Sequence, residues 1–462
     1  MSASPVAAPP RASGISSAHA PALDLPARFM AVGMLMLAAL AVAAPWTTPL
    51  LLGSFYDPRL LAFVHLNTLG VIAAVILGAS YQLIPVVLQT PLASVRLARL
   101  SFWCYLGGLI ALPVGLLRVW PMALTLGGTL LALAFGLYIG VVITTLRRAP
   151  HRDVVAWHIA VSVVGLLGGM LYGVILAINK GSGFLGAHTL DNLAAHATLM
   201  LGGWIAVLLA GVAFRLVGMF TLAEDALWIP GAWLELGLTA GGAWVLSTNL
   251  HLTGPRVINM AGAAALLGGC ALFTAQLVHL YRRRRRRGFD VHIPFALTAA
   301  VAGLVAAVLL VVGLGRGLAP GASLWMVVGW LAIAGLAETA IQGFFYKIAT
   351  FLVWLQRYAP LAGRQRVPKL EELYDRRLAL AGWAGWTAGV GLEALAIAMG
   401  NFSLSHVAGV FVAVGLGCFL ANVIRIANHW RTPSTGERPP VVGRRIGLAE
   451  ATAVIATPRR PG

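Results

Sequence analysis

The stretch HLNTLGVIAAVILGASYQLIP, residues 65–85, decides the fold. It carries no charged residue and, with Leu60–Val64 before it, is apolar for well over twenty positions. Crossing about 30 Å of hydrocarbon as a helix takes roughly 20 such residues. Apolar and polar positions do not alternate, which excludes a membrane barrel strand. Working outward, the same reading predicts twelve spans: 29–52, 60–88, 100–117, 121–145, 154–178, 193–219, 229–250, 257–281, 293–315, 323–355, 378–399 and 405–427. The break at Arg118–Pro121 reads as a tight turn between two helices. Abundant Gly and Ala let such helices approach closely. The fold class is therefore an all-α polytopic membrane protein, a twelve-transmembrane-helix bundle.

Composition agrees. Of 462 residues, 59% are hydrophobic and 10% charged, and the mean hydropathy is +0.85. A soluble domain carries about a quarter charged residues, so a water-soluble globule is excluded, and so is a disordered chain. Residues 1–28, rich in Ala, Pro and Ser, read as a disordered tail without a cleavable signal. Residues 428–462 form a second tail, basic and Pro-rich, leaving 29–427 as the membrane domain. Cys104, Cys270 and Cys418 fall in apolar stretches and form no CxxC pair, so they reveal no redox compartment.

The net charge of +18 reads as topology and not as a nucleic-acid surface. With both tails and every even-to-odd connection on one side, that side holds 28 of the 33 Lys and Arg. Cationic loops resist translocation. Both termini are expected in the cytoplasm of a bacterial-type inner membrane, with the lipid bilayer as partner and no nucleic acid. Arg282–Arg287 read as a stop-transfer anchor that also suits anionic headgroups.

Ionisable groups inside hydrocarbon are costly and need a partner or a task. His65, His196, His251 and His406 all map one to two turns below the face with few cations, near His188. Four imidazoles at one depth of a bundle is the arrangement a haem or metal layer requires. His65 and His196 stand out, because HLNTLGVIAAVILGASYQLIP and HATLMLGGWIAVLLAGVAFRLV each run from a His through Leu-Gly to an aromatic–polar–Leu triplet. Three carboxylates lie within spans: Glu235, Glu338 and Glu393. Glu338 with Gln342 at i+4 suits a proton relay; a protonated Glu that ties two helices together is the structural alternative. GFFYKIATFLVWLQRY, residues 343–358, reads as an aromatic and basic interfacial belt. No Walker A loop, dinucleotide fingerprint, HExxH, GxSxG or CxxCH occurs.

Twelve spans, with His near the outer ends of spans 2 and 6, resemble subunit I of the haem–copper oxidase superfamily. The phrases HLNTLGVIAAVILGASYQLIPVV and GFFYKIATFLVWLQRY look like an uncharacterised bacterial branch grouped with it. The resemblance implies that His65 is a haem ligand and His196 a copper or haem ligand. It also implies electron transport alongside other respiratory-type membrane subunits. The family's histidine pair in span 7 is reduced here to His251 at the span's end, and its two span 10 histidines are missing, with Met326 as a soft donor in that helix. The expectation is one haem or one copper, held by His65 with His196, His251, His406 or Met326, in a protein that is not a complete oxygen-reducing oxidase. Two other classes fit the same spans: a non-catalytic subunit or assembly partner of a redox complex, and a twelve-span secondary transporter.

Overall fold

Side chains that accept backbone amides open several of the helices. Asp57 caps α2 (Pro58–Asn67), Ser94 caps α4 (Val95–Arg118), Asp153 caps α6 (Val154–Ser182), Asp375 caps α14 (Arg376–Met399) and Asn401 caps α15 (Phe402–Asn428). Each satisfies amides that a helix start leaves without an internal partner. The structure, a computed structural model, describes residues 21–285 and 290–431 together with His19. The expected tails at 1–28 and 428–462 lie largely outside the described residues, as do Arg286 and Arg287. The first helix, α1 (Asp24–Thr47), begins five positions before the expected span.

Helices occupy all twelve predicted ranges, and no strand occurs among the described residues. Ten of these helical segments are long and apolar enough to cross a membrane by length and composition. The other two, α9 (Ile229–His251) and α14, are helices in which Gly, Trp, Thr and an internal Glu dilute the apolar run. The remaining single-helix segments are α5 (Pro121–Arg148), α10 (Arg256–Arg282) and α11 (His292–Arg316). The turn expected at Arg118–Pro121 is present: Val119 is left-handed at φ 50°, Trp120 is extended and Pro121 opens α5.

Consecutive helices α4 and α5, α9 and α10, and α14 and α15 pack as hairpins, and α1 closes the bundle against α15 and α3 (Ala74–Val87). Small residues set the close approach. A Cβ added to Gly127 would lie 2.4 Å from the Leu112 nitrogen, and one on Gly415 would lie 2.4 Å from the Trp386 nitrogen.

Three of the twelve segments are not plain α-helix. α2 passes into α3 through a π turn at Thr68–Ala73. α7 (Thr189–Thr198) passes into α8 (Val207–Thr221) through Leu199–Ala206, and α12 (Ser323–Trp330) into α13 (Thr339–Arg357) through Leu331–Glu338. They coincide with the second, sixth and tenth of the expected spans, and the third π turn touches the other two. A π turn breaks the regular i to i−4 ladder and recurs at functional sites. Here the Tyr105 hydroxyl from α4 donates to the Leu69 carbonyl inside the first of them.

Candidate metal centre

His65 lies in the last turn of α2, fixed from outside by the Asp57 cap. Asp57 accepts from the Arg59 amide at 2.7 Å and pairs with its guanidinium at 3.1 Å. The Arg59 hydrogen bonds hold the Asp57 carboxyl below its ordinary range. The Nδ1 of His65 is 2.7 Å from the Leu61 carbonyl one turn back. A carbonyl only accepts, so Nδ1 carries the hydrogen and the lone pair of the neutral ring sits on Nε2.

His196, in the last turn of α7, is set the same way across a helix boundary. Its Nδ1 donates to the Gly169 carbonyl of α6 at 2.8 Å, again leaving Nε2 as the free nitrogen. Gly173 makes room for the ring: a Cβ there would lie 3.1 Å from His196 Cε1.

The two rings come together. Their planes lie within 17° of each other and their centres are 6.5 Å apart. A metal bonded at about 2 Å to one nitrogen of each ring separates those nitrogens by about 4 Å and, with the nitrogens turned toward each other, the ring centres by about 6 Å. Nδ1–H donated to a carbonyl is also the usual outer partner of a ligating imidazole.

The other predicted residues sit elsewhere. His251 holds Asn192 through Nδ1 at 2.7 Å and lies against Tyr172, with ring centres 5.1 Å apart. Asn192 is one turn from His196, so His251 braces α7. His406 is exposed, its Nδ1 2.7 Å from the Pro45 carbonyl. His188 is exposed beside Asp191. Met326 is buried within the apolar core. Among the described residues no three His, Cys, Asp or Glu come together to hold a metal ion. Among the described residues a centre of three such side chains is therefore not assembled, whereas the imidazoles of His65 and His196 lie close together.

Beside the His65 helix lies a polar group that the surrounding hydrocarbon does not satisfy. Glu338, which ends the third π turn, meets the Asn67 side chain. Glu338, Asn67 and Gln342 are all buried. Asn67 Oδ1, Glu338 Oε1 and both amide atoms of Gln342 have no partner among the described residues. Buried polar atoms in native proteins are almost always paired, with water where protein is lacking.

The remaining carboxylates tie helices together. Glu235 binds His158 Nε2 at 2.8 Å and Thr239 Oγ1 at 2.8 Å, while His158 Nδ1 donates to the Val154 carbonyl. Glu393 takes the Ser405 hydroxyl, 2.7 Å from Oε2, between α14 and α15. In the expected interfacial belt, Lys347 pairs with Asp290 and packs over Phe220. Burial by itself raises the Asp290 carboxyl, but the His292 hydrogen bond and the His292 and Lys347 charges outweigh it and hold the group well below the usual carboxylate range.

Sequence reading missed the two carbonyls that set the tautomers, the clearance at Gly173 and the role of Asn67. The Leu61 carbonyl lies one turn back on the His65 helix itself, but the rotamer that reaches it has no sequence signature, and the others depend on a neighbouring helix. The His158–Glu235 pair had a weak signal, two ionisable residues near one face on spans 5 and 7. No protein-family model matches the chain, and no curated protein matches it.

Proposed function

We propose that this multi-pass membrane protein is a haem-binding redox protein whose iron is held between His65 and His196. The observation that carries this reading is the near-parallel pair of imidazoles with centres 6.5 Å apart, each with Nδ1 committed to a carbonyl. The donor set suits the group: two neutral rings from separate spans, each offering one lone pair. A haem bound there supplies one-electron transfer. His65 and His196 would both be taken up in holding the group, which suits electron transfer better than oxygen reduction. The missing span 10 histidines argue the same way.

The reading takes the twelve helical segments as twelve spans arranged like subunit I of the haem–copper oxidases. The Lys and Arg bias supports cytoplasmic termini in a bacterial-type inner membrane, and other respiratory-type subunits would be the electron partners. His251 positions the centre by holding Asn192. Glu338, Gln342 and Asn67 would hold water and a proton beside it. Copper bound by the same two nitrogens is the other occupant, and elemental analysis separates the two.

The test is an optical and paramagnetic-resonance spectrum of the purified protein, with iron and copper counted. The expected result is a Soret band with a low-spin iron signal. Both vanish in His65→Ala and in His196→Ala and persist in His406→Ala. A colourless, metal-free protein overturns the reading and leaves a non-catalytic bundle.

A further inference from the structure

At the Arg-rich end of the bundle one carboxylate serves two helices. Arg28 and Asp24 stand one turn apart on α1, with Arg28 Nη2 3.7 Å from Asp24 Oδ2. Arg99 of α4 reaches the same oxygen, its Nη2 3.1 Å away. Each arginine lies four residues into its helix, about 6 Å from the start, so the two guanidiniums share one level. Their side chains are 43% and 47% exposed. Two cations on one anion leave a net charge of +1, and exposed Arg96, one turn outward on α4, adds to it. Elsewhere at this end Asp153, Asp225 and Asp375 each pair with a single arginine, which balances the charge. A basic bias on one side requires only that cations lie there. It does not require cations from separate helices to converge.

An arginine fork carries five N–H donors. Asp24 engages one nitrogen of each fork through a single oxygen, and neither guanidinium has another partner among the described residues. The remaining N–H groups suit the two charged oxygens of a phosphodiester, which a planar fork grips through paired bonds. Apolar surface begins one turn deeper. Trp103 is 59% exposed and lies against Phe102, with ring centres 5.2 Å apart; exposed indoles of this kind settle at headgroup level. Farther in, Leu35 of α1 and Ile110 of α4 are exposed. A soluble phosphate would use only the charged half of this surface. A lipid uses both halves.

We propose that Arg28 and Arg99, joined through Asp24, bind the phosphodiester of one singly charged anionic phospholipid, whose acyl chains lie along the exposed faces of α1 and α4. A zwitterionic lipid is disfavoured, because its ammonium brings a positive charge to a site that is already cationic. The site is independent of any metal at His65 and His196.

The test uses the full chain in phosphatidylcholine nanodiscs doped with an equal trace of phosphatidylglycerol or phosphatidylcholine carrying a diazirine in one acyl chain. Crosslinks are mapped by mass spectrometry. Each net cation beside anionic lipid is worth about fivefold in binding. Phosphatidylglycerol should therefore label residues 28–35 of α1 and 99–110 of α4 about fivefold above phosphatidylcholine. Unlabelled phosphatidylglycerol should displace it. Arg28→Gln with Arg99→Gln should erase the preference here and leave lipid-facing α5 unchanged. Asp24→Asn should raise it about fivefold further, because the site gains one net charge; a merely structural carboxylate would lower it when removed. If Asp24→Asn folds poorly, Arg28→Lys with Arg99→Lys serves instead, keeping the charge without the forks, and should weaken the preference without erasing it. Equal labelling by the two lipids, a preference that survives in a folded Arg28→Gln, Arg99→Gln protein, or one that falls in a folded Asp24→Asn protein overturns the proposal.

Discussion

Gly173→Ala tests the proposed centre without touching either ligand. The new Cβ would lie 3.1 Å from His196 Cε1 and 3.4 Å from Nδ1. Ordinary contact begins at 3.4 Å, so the ring must retreat by about 0.3 Å, within a packed environment that resists such shifts. It cannot retreat freely, because Nδ1 is held 2.8 Å from the Gly169 carbonyl. Overpacking of this kind costs about 1–3 kcal/mol, and about 1.4 kcal/mol is a factor of ten. Haem retention should therefore weaken about 5- to 150-fold. The assay is the rate and extent of haem transfer to an excess of apomyoglobin, followed by the Soret band. Gly237→Ala is the control, since nothing lies within 4 Å of a Cβ there. If Gly173→Ala retains haem as well as Gly237→Ala, the ring geometry does not govern binding and the assignment of His196 is wrong.

Three further outcomes follow from the buried pairs. Asp290→Asn removes the carboxylate facing Lys347 and should cost about 3–5 kcal/mol at pH 7, read as a lower thermal midpoint. Because the folded Asp290 carboxyl is depressed, its contribution is complete above the ordinary value of about 3.9 and disappears as pH falls through the folded value. The gap between the two midpoints should hold at pH 7 and close only in strong acid; equal midpoints at pH 7 refute it. Ser405→Ala strips Glu393 of its hydroxyl partner and should destabilise by about 1–3 kcal/mol, with Glu393→Gln milder, as denaturant midpoints will show. His158→Leu should destabilise more than Glu235→Gln, which keeps a hydrogen-bonding side chain opposite the imidazole; the reverse order would mean that the pair is held by charge.

The helices were legible because hydrocarbon demands one simple thing of a sequence, an unbroken apolar run, and residues 65–85 supply it. The Arg118–Pro121 turn was legible because a Pro fits the first position of a helix. Histidine depth could be counted along each span at 1.5 Å per residue, which gave four candidates, and the pattern that follows His65 and His196 singled out those two. Azimuth could not be counted. Which way a ring points depends on the π turns, on a Gly that clears space on α6, and on whether a neighbour captures the side chain first, as Asn192 captures His251. The start of α1 was misjudged by five residues because Asp24 and Arg28 look like surface residues in sequence, whereas Arg99 of α4 pairs with Asp24 at 3.1 Å.

The π turns in spans 2, 6 and 10 carry a consequence for how the bundle is phased. One extra residue in a helix of 3.6 per turn advances everything beyond it by about 100°. Upstream of each swelling the helix is aimed by one set of neighbours, downstream by another. This segment can thus bring His65 beside His196 above and set Tyr81 against Ser101 and Tyr138 below, two tasks that an uninterrupted helix would have to reconcile through one fixed azimuth. Removing a single position from Thr68–Ala73 would leave this segment as apolar as before, while swinging one half against the other so that the His65 contacts and the Tyr81 contacts could not be made together.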